Sequence, residues 1–210
     1  MNVVVVYCYP MTQASKYFGL AKRFSDTWRQ YDPGHPCQLV VGYNGAKPTA
    51  LESGLFHGLG ATALARDNSG WDIGLYQEAA EKIPADLMVF FGAPVHFYRP
   101  GWLKRMVDVY VERGPNLYGC WGYHYPNWHI RTTCFWCHPQ LLNSYPFVIG
   151  DTRPQRYSFE HGQDSFTRWV LKAGLEADIV SWDNLWPEKD WDQSRQGVGD
   201  CLCFDQHTHR

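Results

Sequence analysis

Between Arg66 and His96 the chain passes from a polar, glycine-punctuated loop to a wholly apolar strand, and that passage narrows the folds open to it. Arg66-Asp67-Asn68-Ser69-Gly70-Trp71-Asp72-Ile73-Gly74 leads into the helix-compatible stretch Leu75-Tyr76-Gln77-Glu78-Ala79-Ala80. The run Leu87-Met88-Val89-Phe90-Phe91 follows and stops at Gly92-Ala93-Pro94-Val95-His96. Leu87 to Phe91 has no polar position on either face, the pattern of a strand covered by helices on both sides. Val3 to Cys8 is a second such run, rich in β-branched residues. Loop, helix, buried strand and small polar exit together are how an open α/β sheet builds a crevice at the carboxyl ends of its strands.

The rest of the chain extends this alternation. Tyr9 to Gln13 reads as a loop, with Ser15 capping a helix whose apolar face is Tyr17, Leu20, Ala21, Phe24 and Trp28. Gln38 to Gly42 is expected as strand two, Tyr43-Asn44-Gly45 as its exit turn, 47 to 60 as a loop with a short helix, and Thr62 to Ala65 as strand three. Helices are expected over Asp72–Lys82 and Gly101–Arg113. Beyond residue 115 the pattern turns aromatic and irregular, with a strand over Ile130–Trp136, a short helix over Pro139–Ser144 and a strand over Ile179–Trp182. Ser165–Ala173 is a further helix, capped by Asp164 and closed by Gly174. The expectation is one domain over residues 1–210, with an alternating α/β first half and a mixed second half on one core.

Composition excludes several classes. A net charge of −2, from 19 basic and 21 acidic residues, gives no chain-wide argument for nucleic acid. No apolar run reaches the roughly 20 residues that cross a bilayer, and the first residues lack the basic segment and small-residue cleavage site of a signal peptide. The expected location is the cytoplasm, where the seven cysteines stay reduced. Cys134-Phe135-Trp136-Cys137-His138 matches the haem-attachment pattern formally, but attachment requires export. Cys134, Cys137, Cys201 and Cys203 could form a zinc site, although Cys201-Leu202-Cys203 lacks the usual ligand spacing, and buried reduced thiols are the plainer reading. Aromatics make up 16% of the chain, which suits a groove for sugars or bases as well as a large core.

The order of these segments resembles a small GT-A glycosyltransferase of the family 2 kind, from about residue 3 to residue 182. Val3–Pro10 resembles the first strand and its base-binding loop, and Gln38–Gly45 the strand ending in a polar Asn-Gly turn. Arg66–Gly74 is similar to the segment that contacts the nucleotide sugar. Leu87–Phe97 with Pro100-Gly101-Trp102-Leu103 resembles the strand that carries the metal-binding acidic pair and the helix after it. Phe159–Phe166, leading into Trp169–Leu175, is similar to the acidic segment and helix that supply the base in inverting members.

The resemblance implies a Rossmann-like, mostly parallel sheet flanked by helices, a donor-binding half over about 1–115 and an aromatic-rich acceptor half over about 116–210. It implies a nucleotide-sugar donor, a UDP-sugar first, held by Tyr9, Asn44, Arg66, Asn68, Gly70, Asp72, Gly92 and Ala93. Glu160 is the expected base and Asp164 the alternative. Trp121, Tyr123, His129 and Arg131 are expected toward an acceptor, which could be a glycan, a lipid, a small molecule or a modified nucleic-acid base. One departure stands out: Gly92-Ala93-Pro94 occupies the place of Asp-x-Asp, the pair that would bridge Mg²⁺ or Mn²⁺ to the diphosphate. Either no metal is needed or its ligands come from elsewhere, with His96, His207 and His209 as candidates. Two rival functions remain at this stage. A sugar nucleotidyltransferase would carry a glycine-rich basic loop after strand one, which Tyr9-Pro10-Met11-Thr12-Gln13 does not provide. A non-catalytic nucleotide- or carbohydrate-binding module would fit the missing acidic pair.

Overall fold

A computed structural model describes residues 1–147, 149–194 and 200–205. Its centre is one mixed sheet whose first four strands, β1 (Val3–Pro10), β2 (Gln38–Asn44), β3 (Thr62–Arg66) and β4 (Leu87–Phe91), are parallel in the order 3-2-1-4. Beyond β4 come β8 (Cys134–Cys137), antiparallel to it, then β5 (Leu117–Gly119), β9 (Ala177–Val180) and the edge strand β10 (Leu185–Pro187). A small hairpin of β6 (Gly122–Tyr123) and β7 (His129–Ile130) stands apart.

The twofold period of a strand sorts β1 between two cores. Val3, Val5, Tyr7 and Tyr9 face one side, under α1 (Ala14–Gln30) and α4 (Trp102–Arg113), where Phe24 stacks on Tyr7 at 3.9 Å and Trp102 on Phe97 at 3.9 Å. Val4, Val6 and Cys8 face the other, under α3 (Trp71–Lys82), with Leu142 of α5 (Pro139–Asn143), Phe159 of α6 (Arg153–His161) and Phe166 of α7 (Phe166–Lys172) in the same cluster. Both faces of β1 and β4 are thus buried, as their unbroken apolar runs require. α2 (Ala50–Gly54) is the short helix within 47–60, opened by a capping box of Thr49 and Glu52. Among the described residues no helix is long and apolar enough to cross a membrane.

Four differences from the sequence expectations matter. The strand expected over Ile130–Trp136 is two strands, because residues 131–133 leave the sheet and Thr132 turns to Glu160. α6 was not expected; Thr152 and Gln155 form its capping box, and Pro154 lies in its first turn. The cap of α7 is Ser165, not Asp164: the buried Ser165 hydroxyl accepts the Arg168 N–H at 3.5 Å, whereas Asp164 is exposed and paired with Lys172. Cys134 and Cys137 cannot share a metal, since an offset of three on a strand puts them on opposite faces.

Two predictions follow from this packing. Ser165→Ala should lower stability by about 1 kcal/mol, while Asp164→Ala changes it by less than about 0.5 kcal/mol; urea denaturation compares them, and equal losses would restore Asp164 as the cap. Asp178 on β9 is buried with an oxygen that has no hydrogen-bond partner, and burial, aided by Glu176 against Arg113, lifts its pKa from 3.8 to about 6. The folded state then keeps a proton that the unfolded chain has released, so this group's contribution to stability falls as pH rises through the window between those two values. Asp178→Asn should flatten that part of a stability-versus-pH curve, and an unchanged slope would assign it to another group.

Candidate functional site

The fold places a crevice at the carboxyl ends of β1, β2 and β4. β1 connects toward β2 on one side and β3 toward β4 on the other, so the crevice lies at the switch point of the parallel strands. It has a volume of about 640 Å³. Cys8 and Pro10 of β1, Asn44 of β2 and Gly92, Ala93 and Pro94 after β4 form its floor. Thr12 and Gln13, in the 3-10 turn before α1, and Lys16, Tyr17 and Leu20 of α1 form one wall. Asn68, Trp71, Asp72, Thr133 and Arg156 complete the lining.

The wall carrying Asn68 to Asp72 is built tightly. Arg66 spends its guanidinium on holding this loop: it donates to Glu78 at 2.7 Å, to the Asn44 side chain at 2.9 Å and to the Ser69 carbonyl at 2.7 Å. Asn44 in turn donates to Asn68 at 2.8 Å. Gly70 adopts φ 66°, and its N–H is donated to Asp151 at 2.6 Å. A Cβ on Gly74 would overlap the Ser69 carbonyl oxygen, so this position has to lack a side chain. Trp71 sits at φ 55°, a backbone conformation that bulky residues rarely adopt and that concentrates at ligand-binding sites. Its indole N–H is tied to the Asp151 carbonyl at 2.9 Å.

Across the crevice runs a chain of charges. Asp72 accepts two hydrogen bonds from Arg156, each at 2.8 Å, in the fork geometry that makes such pairs strong. Arg156 also lies 4.0 Å from Glu160, one turn further along α6. Burial alone would push the Arg156 guanidinium toward losing its proton, but Asp72 and Glu160 raise its pKa above the ordinary value. Glu160 is fixed from its other side, where the Thr132 N–H and hydroxyl donate to it at 3.2 and 3.1 Å. Asp72 and Glu160 therefore belong to one ionic network, although Glu160 lies behind Arg156 and does not itself line the crevice.

The sequence-derived candidates divide accordingly. Asn44, Asn68, Asp72, Gly92 and Ala93 line the crevice; Gly70 lies in its wall, and Arg66 braces that wall from behind. Tyr9 does not reach it: odd positions of β1 face α1, and the Tyr9 hydroxyl donates to the Ala14 carbonyl at 3.3 Å. Trp121 is buried with Arg131 over its ring at 5.6 Å, and Arg131 pairs with Asp205 at 3.0 Å. Tyr123 is exposed on the hairpin. His129 is buried against the Asn127 carbonyl at 2.7 Å, and that burial lowers its pKa despite the carbonyl and the nearby Glu160 charge. Lys16, Thr132 and Arg156 escaped the sequence reading. Arg156 was within reach, because the Thr152–Gln155 capping box announces its helix.

A hard divalent cation does not fit the described lining of the crevice. Asp72 is the one carboxylate among the named lining residues, and both of its oxygens are taken by Arg156. His96 is buried and oriented to the carboxyl-terminal segment: its backbone exchanges hydrogen bonds with Phe204 at 3.0 and 2.8 Å, and its ring packs on Phe204. His207 and His209 lie outside the described residues.

No family model and no curated protein matches the chain. Solved structures do. A mannosyltransferase from Pyrobaculum calidifontis, in complex with GDP-Man and Mn²⁺, gives a TM-score of 0.61 at 13% identity over 84% of this chain and 53% of that one. This chain thus spans about half the length of that enzyme. A CMP:2-keto-3-deoxy-manno-octonic acid synthetase complexed with CTP gives 0.55 at 12% identity, covering 84% of this chain and 88% of the other. Mouse xyloside xylosyltransferase 1, in its apo form, gives 0.52 at 6% identity, covering 83% and 82%. Identities this low establish the fold, which is GT-A-like.

Gly74→Ala should push the 67–70 loop out of place and weaken ligand binding in the crevice at least about tenfold, with only a modest change in unfolding midpoint. Isothermal titration with nucleoside diphosphates measures the first and thermal melting the second; wild-type affinity in the variant would show that the loop's position is irrelevant.

Proposed function

We propose that the chain transfers a sugar from a nucleotide-sugar donor to an acceptor hydroxyl, in the crevice at the switch point. The observation that carries this reading is that Lys16, Asp72 and Arg156 line one cleft at the carboxyl ends of parallel strands, with Glu160 4.0 Å behind Arg156. Glycosyl transfer needs a stabilised leaving diphosphate, a fixed anomeric carbon and a deprotonated acceptor. Lys16 faces the cleft with positive charge, beside the first turn of α1, which no side chain caps, and Arg156 lines the same cleft with its charge matched by Asp72. These groups supply the countercharge for a diphosphate. Asn44, Asn68 and Asp72 offer hydrogen bonds to ribose or sugar hydroxyls. Pro10, Gly92 and Ala93 leave room for the ring of the donor.

Glu160 serves as the base, which requires the Arg156 side chain in front of it to move aside when the acceptor binds. Thr132 holds one of its oxygens, and the other is turned to Arg156. The acceptor O–H gives its proton to Glu160 as its oxygen bonds to the anomeric carbon, and the bond from that carbon to the diphosphate oxygen breaks on the opposite face. The product is inverted, and the nucleoside diphosphate leaves toward Lys16. Exposed Tyr123 and the rest of the hairpin present stacking surface to an acceptor. A UDP-sugar is the first donor to try.

Screening nucleoside diphosphates and their sugars by thermal shift should find a stabilising base, since a ligand that binds only the folded state raises its melting point. With that donor, Glu160→Gln should retain donor affinity and lose transfer and donor hydrolysis by roughly 10²–10⁴-fold. Lys16→Ala should instead weaken donor binding. Unchanged turnover in Glu160→Gln would remove it as the base, absence of turnover in the wild type would favour a binding module, and pyrophosphate release from a nucleoside triphosphate plus sugar phosphate would make the chain a nucleotidyltransferase.

A further inference from the structure

Away from the crevice, on the α1–α4 face of the sheet, three thiols converge from three distant parts of the chain. Cys120 follows β5, Cys134 opens β8, and Cys203 lies in the carboxyl-terminal segment. The Cys120 and Cys134 sulfurs are 3.2 Å apart, those of Cys120 and Cys203 3.6 Å, and all three fall within 4.8 Å of one another. All are buried, and Cys201 is buried in the same core cluster. The sulfurs are too far apart for a disulfide, whose S–S bond is about 2.05 Å. The 3.2 and 3.6 Å spacings lie slightly short of the roughly 3.8 Å between thiolates that share a tetrahedral zinc ion, each about 2.3 Å from the metal, so a small outward shift would admit one. Thiols that act only as small apolar groups have no need to bring their sulfurs together; here three of the chain's seven do.

We propose that Cys120, Cys134 and Cys203 bind a Zn²⁺ ion as thiolates. Binding releases the thiol protons to solvent and involves no redox step. The ion would join the carboxyl-terminal segment to the body of the sheet. Otherwise that segment is attached through pairings such as His96 with Phe204, the Trp182 N–H with the Asp200 carbonyl at 3.0 Å, and the Tyr98 hydroxyl with the Cys201 carbonyl. The link matters because Asp205, two residues on, holds Arg131, whose neighbour Thr132 positions Glu160. The site uses neither crevice nor donor, so it stands independently of the proposed reaction.

The test uses the full chain, expressed without a histidine tag in zinc-supplemented medium and purified with reductant. Elemental analysis should find about one zinc per chain in the wild type and in Cys137→Ser, whose thiol lies on the opposite face of the sheet. Cys134→Ser and Cys203→Ser should each lose most of it. Because those variants could misfold, the wild type is also stripped with a chelator and refilled with Co²⁺, which should give an intense near-ultraviolet thiolate-to-cobalt band. A metal-free wild type with no cobalt band overturns the proposal. So does equal zinc loss in Cys137→Ser, or a Cys120–Cys134 disulfide in place of bound metal.

Discussion

Asp72 and Arg156 are 84 residues apart, and both oxygens of the one meet nitrogens of the other at 2.8 Å. This pair joins the first turn of α3 to α6, and so joins the parallel part of the sheet to the layer laid over it. Neither residue could be placed alone at such modest exposure, because a charge taken from water must be matched close by. Arg156 in turn brings Glu160 beside the crevice, and Asp72 brings Trp71 and the loop before it. The geometry of the cleft wall is therefore a consequence of one ion pair as much as of the loop that carries it.

That pair works because the sheet beneath is rigid. β1 and β4 bury both faces, and their cross-strand neighbours fill two separate cores with interlocking rings. Close packing of this kind transmits displacement instead of absorbing it. Strand ends held to one register offer fixed points from which short loops can aim Asn44, Asn68 and Gly92.

Legibility in the sequence followed burial. Leu87–Phe91 was placed to the residue, because a strand covered on both faces admits no polar position and its limits are marked by Asp86 and Gly92. The loop at 67–74 was visible from its glycines, each of which turned out to sit where a side chain would strain or collide. α6 was hard to see, since Arg153-Pro154-Gln155-Arg156-Tyr157-Ser158-Phe159-Glu160-His161 is short and polar and buries only Phe159, leaving the Thr152–Gln155 capping box as its one clear signal. Side-chain direction was hidden too. Tyr9 and Arg66 lie at strand ends facing the right edge, but pairing with Ala14 in one case and Glu78 in the other draws them away from the cleft, and neither partner is adjacent in the chain.

The strand order carries a lesson about how the polypeptide must assemble. β5 has as its neighbours β8 and β9, both of which come later in the chain, whereas β2 finds β1 already made. As synthesis proceeds from the amino end, the four parallel strands can pair in turn, but Leu117–Gly119 waits without a partner until residue 137 has emerged. For that interval the aromatic stretch around Tyr118 is an unpaired apolar edge, the kind of surface that chaperones bind.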